Sequence, residues 1–264
     1  MNIKELIVLS DLYAPKAYAD FKETEWGVMF YDEKNKTMHD VNHACIIKDE
    51  SFVPALQEIR AFYTEKGITP RIYLSGFQHR DHKSDLASRG FGVYRFGNFQ
   101  HFLLLDSCTL APADQLQIRE LKSKNDITEK LLNNLYHTYL AEDPDTINRS
   151  RALLRRVVQS KDCRLFCGFF ENEPACIAML VKTPFGMDCF DLVETAEKFK
   201  GRGFASELIA YLVRLCDRPA FLFSENPAAI RIYEKAGFRR IKVSPEPCFY
   251  RAVYQERQRV NAFA

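Results

Sequence analysis

Between residues 200 and 206 the chain reads Lys-Gly-Arg-Gly-Phe-Ala-Ser, two cations and two glycines directly ahead of an apolar stretch with helical spacing. A helix N-terminus carries about half a positive charge and several unpaired N–H groups, and glycine lets a ligand approach the backbone closely. A phosphate or pyrophosphate is the natural occupant; the competing reading is a tight strand-to-helix turn whose cations are solvated. A dinucleotide fold is the nearest decoy, because Gly201-x-Gly203-x-x-Ser206 approximates its glycine fingerprint and Glu225 ends the following strand. Two features oppose it. Ser206 replaces the third glycine, and AEKFK separates the preceding strand from Gly201, whereas that fold turns directly off its strand.

Other patterns carry less. RGFGVYRF at 89–96 approximates an RNA-reading strand, but Val93 stands where that motif wants an aromatic, and a helix cap leading into a strand is the simpler reading. His39 with His43, and His79 with His82, have loosely metal-like spacing without an evident third ligand, so no metal site is expected. Arg149, Arg151, Arg155, Arg156 and Lys161 fall on a predicted helix, most simply as a solvated face.

The elements that must position these residues can be read from periodicity. HFLLL at 101–105 is a strand, and the polar DSCTLAPADQ after it places a boundary near 107–115. Asn125 or Asp126 can cap a helix through LLNNLYHTYL, and a second helix follows near 147–160. CRLFCGFF and ACIAMLVK, joined at Glu171–Pro174, form a hairpin, and MDCFDLVET is a third strand. FASELIAYLVRLC is a helix, AFLFS a strand, and Asn226 with Pro227 opens another helix that Gly237 ends. A fainter copy of this last unit lies earlier: residues 55–75 and SDLASRGF repeat the order of 205–224 and IRIYEKAGF. Pro70 and Pro219 are offset by 149, Gly90 and Gly237 by 147, which favours duplication over two unrelated helix-strand-helix runs. The copies differ where the long helix begins, Lys48-Asp49-Glu50-Ser51 in the first and Lys200-Gly201-Arg202-Gly203 in the second.

KGRGFA resembles the acetyl-CoA loop of the GNAT acetyltransferase superfamily: Gly203 and Ala205 match its pattern, while Lys200 stands at a Gln/Arg position and lacks the planar fork. Asn226-x-x-Ala229-x-x-x-Tyr233-x-x-x-Gly237-Phe238 resembles the family's second signature. The two motifs span about residues 195–240, and the surrounding elements match over 115–255. The resemblance implies an α+β fold, a mixed, mostly antiparallel sheet flanked by helices whose central parallel strands, DLVET and AFLFS, splay to admit the pantetheine arm of acetyl-CoA. It implies that the backbone of Val193 and Thr195 pairs with that arm, that the amides of Gly201, Arg202, Gly203, Phe204, Ala205 and Ser206 hold the pyrophosphate beside Lys200, and that Asn226 lines the far side. Tyr233 occupies the position that meets the departing thiolate. Direct acyl transfer to an amine is the family's reaction, and the basic helix with the AEDPDT loop would flank the acceptor and influence its choice.

That reaction makes demands of its own. An alkylammonium of pKa about 10.4 must lose a proton before it attacks a thioester, which costs about 4.6 kcal/mol at pH 7. A nearby carboxylate can accept that proton. Asp188, Asp191 and Glu194 share one strand, whose alternation places Asp191 and Glu194 on opposite faces. Asp191 ranks slightly above Glu194, because many family members carry an acid four residues before the position of Thr195.

Composition sets the bounds. The 264 residues, 47% hydrophobic and 27% charged, suit one large or two modest globular domains. Net charge is +2, and residues 1–110 hold 13 Lys/Arg against 15 Asp/Glu, so no nucleic-acid partner is expected, and with no apolar run approaching the ~18 residues needed to cross a bilayer no membrane partner is expected either. Eight cysteines without a Cys-x-x-Cys pair, mostly among apolar neighbours, read as reduced thiols in a cytoplasmic protein. The expectation is therefore a tandem: residues 1–110, a degenerate GNAT-like domain without the phosphate loop, and residues 115–264, a catalytic domain that acetylates a small-molecule or peptide amine. The first domain either shapes the acceptor site or covers apolar surface on its neighbour. The alternative is a CoA-binding regulator of the same fold without turnover.

Overall fold

The computed structural model describes residues 2–97, 99–110, 114–141, 143–242 and 249–255. They form two mostly antiparallel sheets flanked by helices, the expected α+β architecture, and belong to two compact units.

The first unit contains Ala19–Phe99 and Ser244–Ala264. Its strands are β1 (Asp20–Glu23), β2 (Gly27–Tyr31), β3 (His43–Ile46), β4 (Arg71–Ser75), β5 (Phe91–Gly97) and, from the far end of the chain, β13 (Phe249–Tyr254), in the order β1-β2-β3-β4-β13-β5. Only β3 and β4 pair in parallel, joined by α2 (Phe52–Glu65). Phe52, Leu56, Ile59 and Tyr63 recur at helical spacing and are buried against Met29, Ile72, Leu74 and Ala252 of the sheet. Each such side chain contributes about 1.5–3 kcal/mol by leaving water. The short helices α3 (Gly76–Asp81) and α4 (Lys83–Ser88) lead to β5 through Gly90, whose φ of +81° suits glycine.

The second unit contains Met1–Tyr18 and Gln100–Val243. After α1 (Ile3–Tyr13) come β6 (Gln100–Leu104), β7 (Gln117–Leu121), α5 (Glu129–Tyr136), α6 (Thr146–Val157), β8 (Cys163–Phe170), β9 (Glu173–Lys182), β10 (Asp188–Thr195), α7 (Phe204–Leu215), β11 (Ala220–Ser224), α8 (Pro227–Lys235) and β12 (Phe238–Ile241). The sheet order is β12-β6-β11-β10-β9-β8-β7. Glu171 and Asn172, both at positive φ, make the two-residue turn of the β8–β9 hairpin. Thr128, rather than Asn125 or Asp126, caps α5 through a bond from the Leu131 amide. Asn226 caps α8, and Gly237 ends it with φ +101°.

One arrangement occurs in both units. β3-α2-β4 and β10-α7-β11 are each a parallel pair joined by a sheet-covering helix, with Pro70 and Pro219 just ahead of β4 and β11. The single boundary near 107–115 does not separate the units, because two strands are exchanged along the sequence. β6, from the first half of the chain, lies between β11 and β12 with Phe102 and Leu103 buried, and β13, from the end, lies between β4 and β5. Neither 1–110 nor 115–264 is thus a unit by itself; strand patterning marks HFLLL as a strand without saying which sheet receives it.

The seven cysteines among the described residues are free, and Cys248 lies outside them. No described helix is long and apolar enough to cross a membrane.

Candidate active site

The second unit's sheet opens at its one parallel pair. β10 and β11 are in register over Asp188–Ala220 and Cys189–Phe221 and then part. β11 stays paired with β6 out to Ser224, and β10 stays paired with β9 out to Thr195, so each wall is anchored on its outer side while the inner edges separate. Val193 and Thr195 lie on the stretch of β10 that has left β11. A slot edged by unpaired backbone groups accepts an extended amide-bearing chain, because such groups need partners.

At the end of that slot the chain turns into α7. Gly201 and Gly203 have φ of +77° and +85°, and a Cβ added to either would meet nothing within 4 Å. The left-handed Gly203 is the N-cap and supplies no side-chain acceptor, so the N–H groups of the first turn, Phe204 to Ser206, have no side chain to receive them. The two cations point elsewhere: Lys200 Nζ pairs with Glu197 Oε2 at 2.5 Å, and the Arg202 guanidinium lies 4.2 Å from the Phe170 ring centre and 5.0 Å from that of Phe204. The grip this turn offers an anion is mainly backbone. Across the slot, Asn226 caps α8 by accepting from the Ala228 amide at 2.9 Å, and its own amide donates to Ser224 Oγ.

A β-bulge sets the carboxylates. Asp191 pairs with Met179 and Glu194 with Ile177, three steps on β10 against two on β9, and Leu192 takes a φ of +49°. The extra residue cancels the alternation and brings Asp191 and Glu194 to the same face, contrary to the opposite faces that a regular strand predicts. Asp191 Oδ1 accepts from the Leu192 amide at 2.7 Å, inside the bulge. Burial raises the Glu194 carboxyl above the ordinary carboxylate range, against the Tyr139 hydroxyl, which donates to Oε2 at 3.3 Å, and the positive charge of Lys200. Tyr233, buried on α8, has its phenol pushed up by burial and then by the charges of Asp191 and Glu194. Asp188 takes no part in this group: it is buried and ion-paired with Arg218 at 2.9 Å.

Split strands, an uncapped glycine turn and a carboxylate-tyrosine cluster thus meet in one stretch of chain. Residues 128–238 match the family model of the GNAT acetyltransferases. This segment is a GNAT acetyltransferase domain. Solved structures resemble nearly the whole chain: a GCN5-related N-acetyltransferase from Kribbella flavida (13% identity, 97% of each chain, TM-score 0.66) and a functionally unknown conserved protein from Staphylococcus epidermidis (12%, 93% of this chain and 98% of that one, TM-score 0.60). A third is a putative GNAT acetyltransferase from Novosphingobium aromaticivorans (17%, 93% and 95%, TM-score 0.50). At these identities the likeness concerns the fold. No curated protein sequence matches the chain.

Two tyrosines of the candidate site in the GNAT domain were passed over by sequence reasoning, Tyr136 and Tyr139. Burial, and then the charges of Glu194, Tyr139 and Asp191, push the Tyr136 phenol up. The available signal was the aromatic pair three apart in LYHTYL, which reads as ordinary helix packing. The basic helix is largely neutralised: Arg149 pairs with Asp143 and Asp145, Arg151 with both oxygens of Glu129, and Arg156 donates to the Tyr18 carbonyl.

In the first unit the equivalent features have other uses. Asp49–Ser51 form a 3-10 turn ahead of α2, and Gln78 Nε2 donates to the Ile46 carbonyl at 2.7 Å, where β3 ends. His43 stacks on Tyr73, His79 on Tyr250 and His82 on Phe52. Phe91 is buried edge-on to Tyr254, so it offers no face to a nucleic-acid base.

Proposed function

We propose that the second unit transfers an acetyl group from acetyl-CoA to a primary amine by direct attack within a ternary complex. The observation that carries this reading is the coincidence of two openings: β10 leaves β11 at the point where an uncapped helix begins with two unobstructed glycines. Those residues fit acetyl-CoA. The backbone N–H groups of residues 201–206 would take its diphosphate, Val193 and Thr195 would pair with its amide arm, Lys200 would add charge at the rim, and Asn226 would line the opposite wall. When bound, acetyl-CoA supplies an activated thioester.

The remaining work falls to side chains of this chain. Glu194 accepts the proton that the alkylammonium must lose; the neutral amine nitrogen then forms a C–N bond as the C–S bond breaks, and the surplus proton left on that nitrogen passes to the departing thiolate, giving the amide and free CoA thiol. Asp191 and Glu194 now share a face, so position alone does not choose between them, but burial favours Glu194. Asp191 spends Oδ1 on the bulge, whereas the half-desolvated Glu194 binds a proton more readily than a solvated carboxylate and is the better base near neutral pH. Tyr233 donates a hydrogen bond to the departing sulfur rather than a whole proton, since burial makes its phenol a weaker acid still.

Thiol release from acetyl-CoA across a panel of diamines, amino acids, aminoglycosides and peptides tests the reading, with CoA affinity measured in parallel. Release with at least one class of amine is expected. CoA binding without release under any amine would leave a CoA-binding regulator of the same fold, and absence of CoA binding would remove both.

A further inference from the structure

We propose that Tyr139 is a positioning residue that holds the Glu194 carboxylate toward the amine, and that Arg149 supports it through the loop between α5 and α6. The proposal rests on the reading of Glu194 as proton acceptor. Glu194 stands just beyond the β10 bulge, on the stretch of β10 that no longer pairs with β11. The Tyr139 hydroxyl donates to Oε2 at 3.3 Å, and among the described residues Oε1 has no hydrogen-bond partner, which leaves one oxygen held and the other open to the ammonium.

Tyr139 is fixed in turn. It lies on the 3-10 segment His137–Ala141, which continues α5 directly from the buried Tyr136. The Asp143 amide donates to the Tyr139 carbonyl at 2.9 Å, and the Asp143 carboxylate is ion-paired with Arg149 of α6. The path from α6 to the carboxylate therefore runs Arg149, Asp143, Tyr139, Glu194, each link a direct hydrogen bond, ion pair or shared residue. Tyr139 is 39% exposed, so it stands at the surface beside Glu194 rather than inside the core. The groups around Glu194 are Asp191, Tyr136, Tyr139, Tyr233 and Lys200; of these, Tyr139 is the one with a described hydrogen bond to it.

The test is Tyr139→Phe in the full chain, read by carbon-13 NMR titration of the Glu194 carboxyl and by the pH dependence of kcat/KM with the amine that releases thiol fastest. Loss of a donor to the ionised form should make Glu194 bind its proton roughly tenfold tighter and displace the acidic limb of the profile upward by the same factor. KM for acetyl-CoA should stay the same, and Tyr139→His, which keeps a donor, should restore part of the shift. An unchanged Glu194 titration in Tyr139→Phe overturns the proposal, and it needs no acceptor to be known. Glu194→Gln separates the two ideas. If it keeps full activity, the reading of Glu194 as base fails; if it is inactive while Tyr139→Phe leaves titration and profile unmoved, the positioning role alone fails.

Discussion

In both units a strand leaves a parallel pair, turns, and becomes a helix that covers the sheet: β3 into α2 through Lys48–Ser51, and β10 into α7 through Lys200–Gly203. The second turn has two left-handed glycines under open space and an uncapped helix start. The first has two acids at the corresponding place and a glutamine side chain bonded to the last carbonyl of β3. β10 carries two carboxylates on one face, while β3 reads His-Ala-Cys-Ile and carries none. The two units thus share this topology and differ in a handful of residues at one turn and on one strand, the residues to which the proposed anion binding and acid-base roles fall.

The harshest way to break the comparison is to treat the halves as separable. A fragment of residues 115–264 lacks β6, which fills the space between β11 and β12 with four described rungs to each neighbour, and it lacks α1. Removing an interior strand strips a buried ladder and leaves two raw edges in a domain whose whole stability is roughly 5–15 kcal/mol. Circular dichroism should show no cooperative melt for the fragment. A cooperative melt near that of the full chain would mean that β6 is dispensable and that the exchange of strands does not hold the slot open.

Next comes the chemistry that β10 has and β3 lacks. Glu194→Gln should lower turnover at pH 7 by about 10²–10⁴-fold while leaving CoA affinity within about twofold. The sign of the pH dependence follows from its raised ionisation. A base must be ionised to act, so activity is retained above the elevated value and is lost as pH falls through it, at a higher pH than for a solvated glutamate. A pH–rate profile with its acidic limb in the ordinary carboxylate range would contradict the burial argument. Asp191→Asn, by loosening the bulge, should act mainly on stability.

The anion grip is sharpened by a pair of variants. Gly203→Ala forces a Cβ into a left-handed position at a strain of about 1–2 kcal/mol and stiffens the turn, so CoA should bind about tenfold more weakly by calorimetry. Glu50→Ala, at the matching turn of the first unit, should leave that affinity unchanged. Equal effects from the two would dissolve the contrast between the turns.

What the sequence disclosed about this contrast, and what it withheld, has a physical explanation. The repeat could be read because Pro and Gly punctuate it: Pro70 and Pro219 precede the parallel strands, and Gly90 and Gly237 adopt the positive φ that ends a helix. The glycine turn could be read for the same reason. The bulge could not, since Leu192 carries a φ of +49° without a glycine or asparagine to signal it, and the relation of Asp191 to Glu194 was inverted as a result. Strand exchange was invisible because hydrophobic patterning reports that residues 101–105 pair, not with whom. The arginines of α6 looked available for a ligand because their acidic partners, Asp143, Asp145 and Glu129, precede the helix in loops and in α5, where sequence does not show the approach.

The smallest expected effect probes the first unit's closed turn. Gln78 Nε2 reaches the Ile46 carbonyl at 2.7 Å, tying α3 to the end of β3 at the place where the second unit's slot is open. Gln78→Ala removes two hydrogen bonds, this one and the one Oε1 accepts from the Ser75 amide at 3.2 Å, which costs about 2 kcal/mol of stability and should lower the melting temperature by several degrees. It should not create a second CoA site, because Asp49 and Glu50 remain at the start of α2 and repel the diphosphate that a helix N-terminus would otherwise attract. Calorimetry should therefore give one CoA per chain in both proteins. A stoichiometry that rises toward two in Gln78→Ala would show that a single side chain, and not the charge of the turn, keeps the first unit from binding CoA.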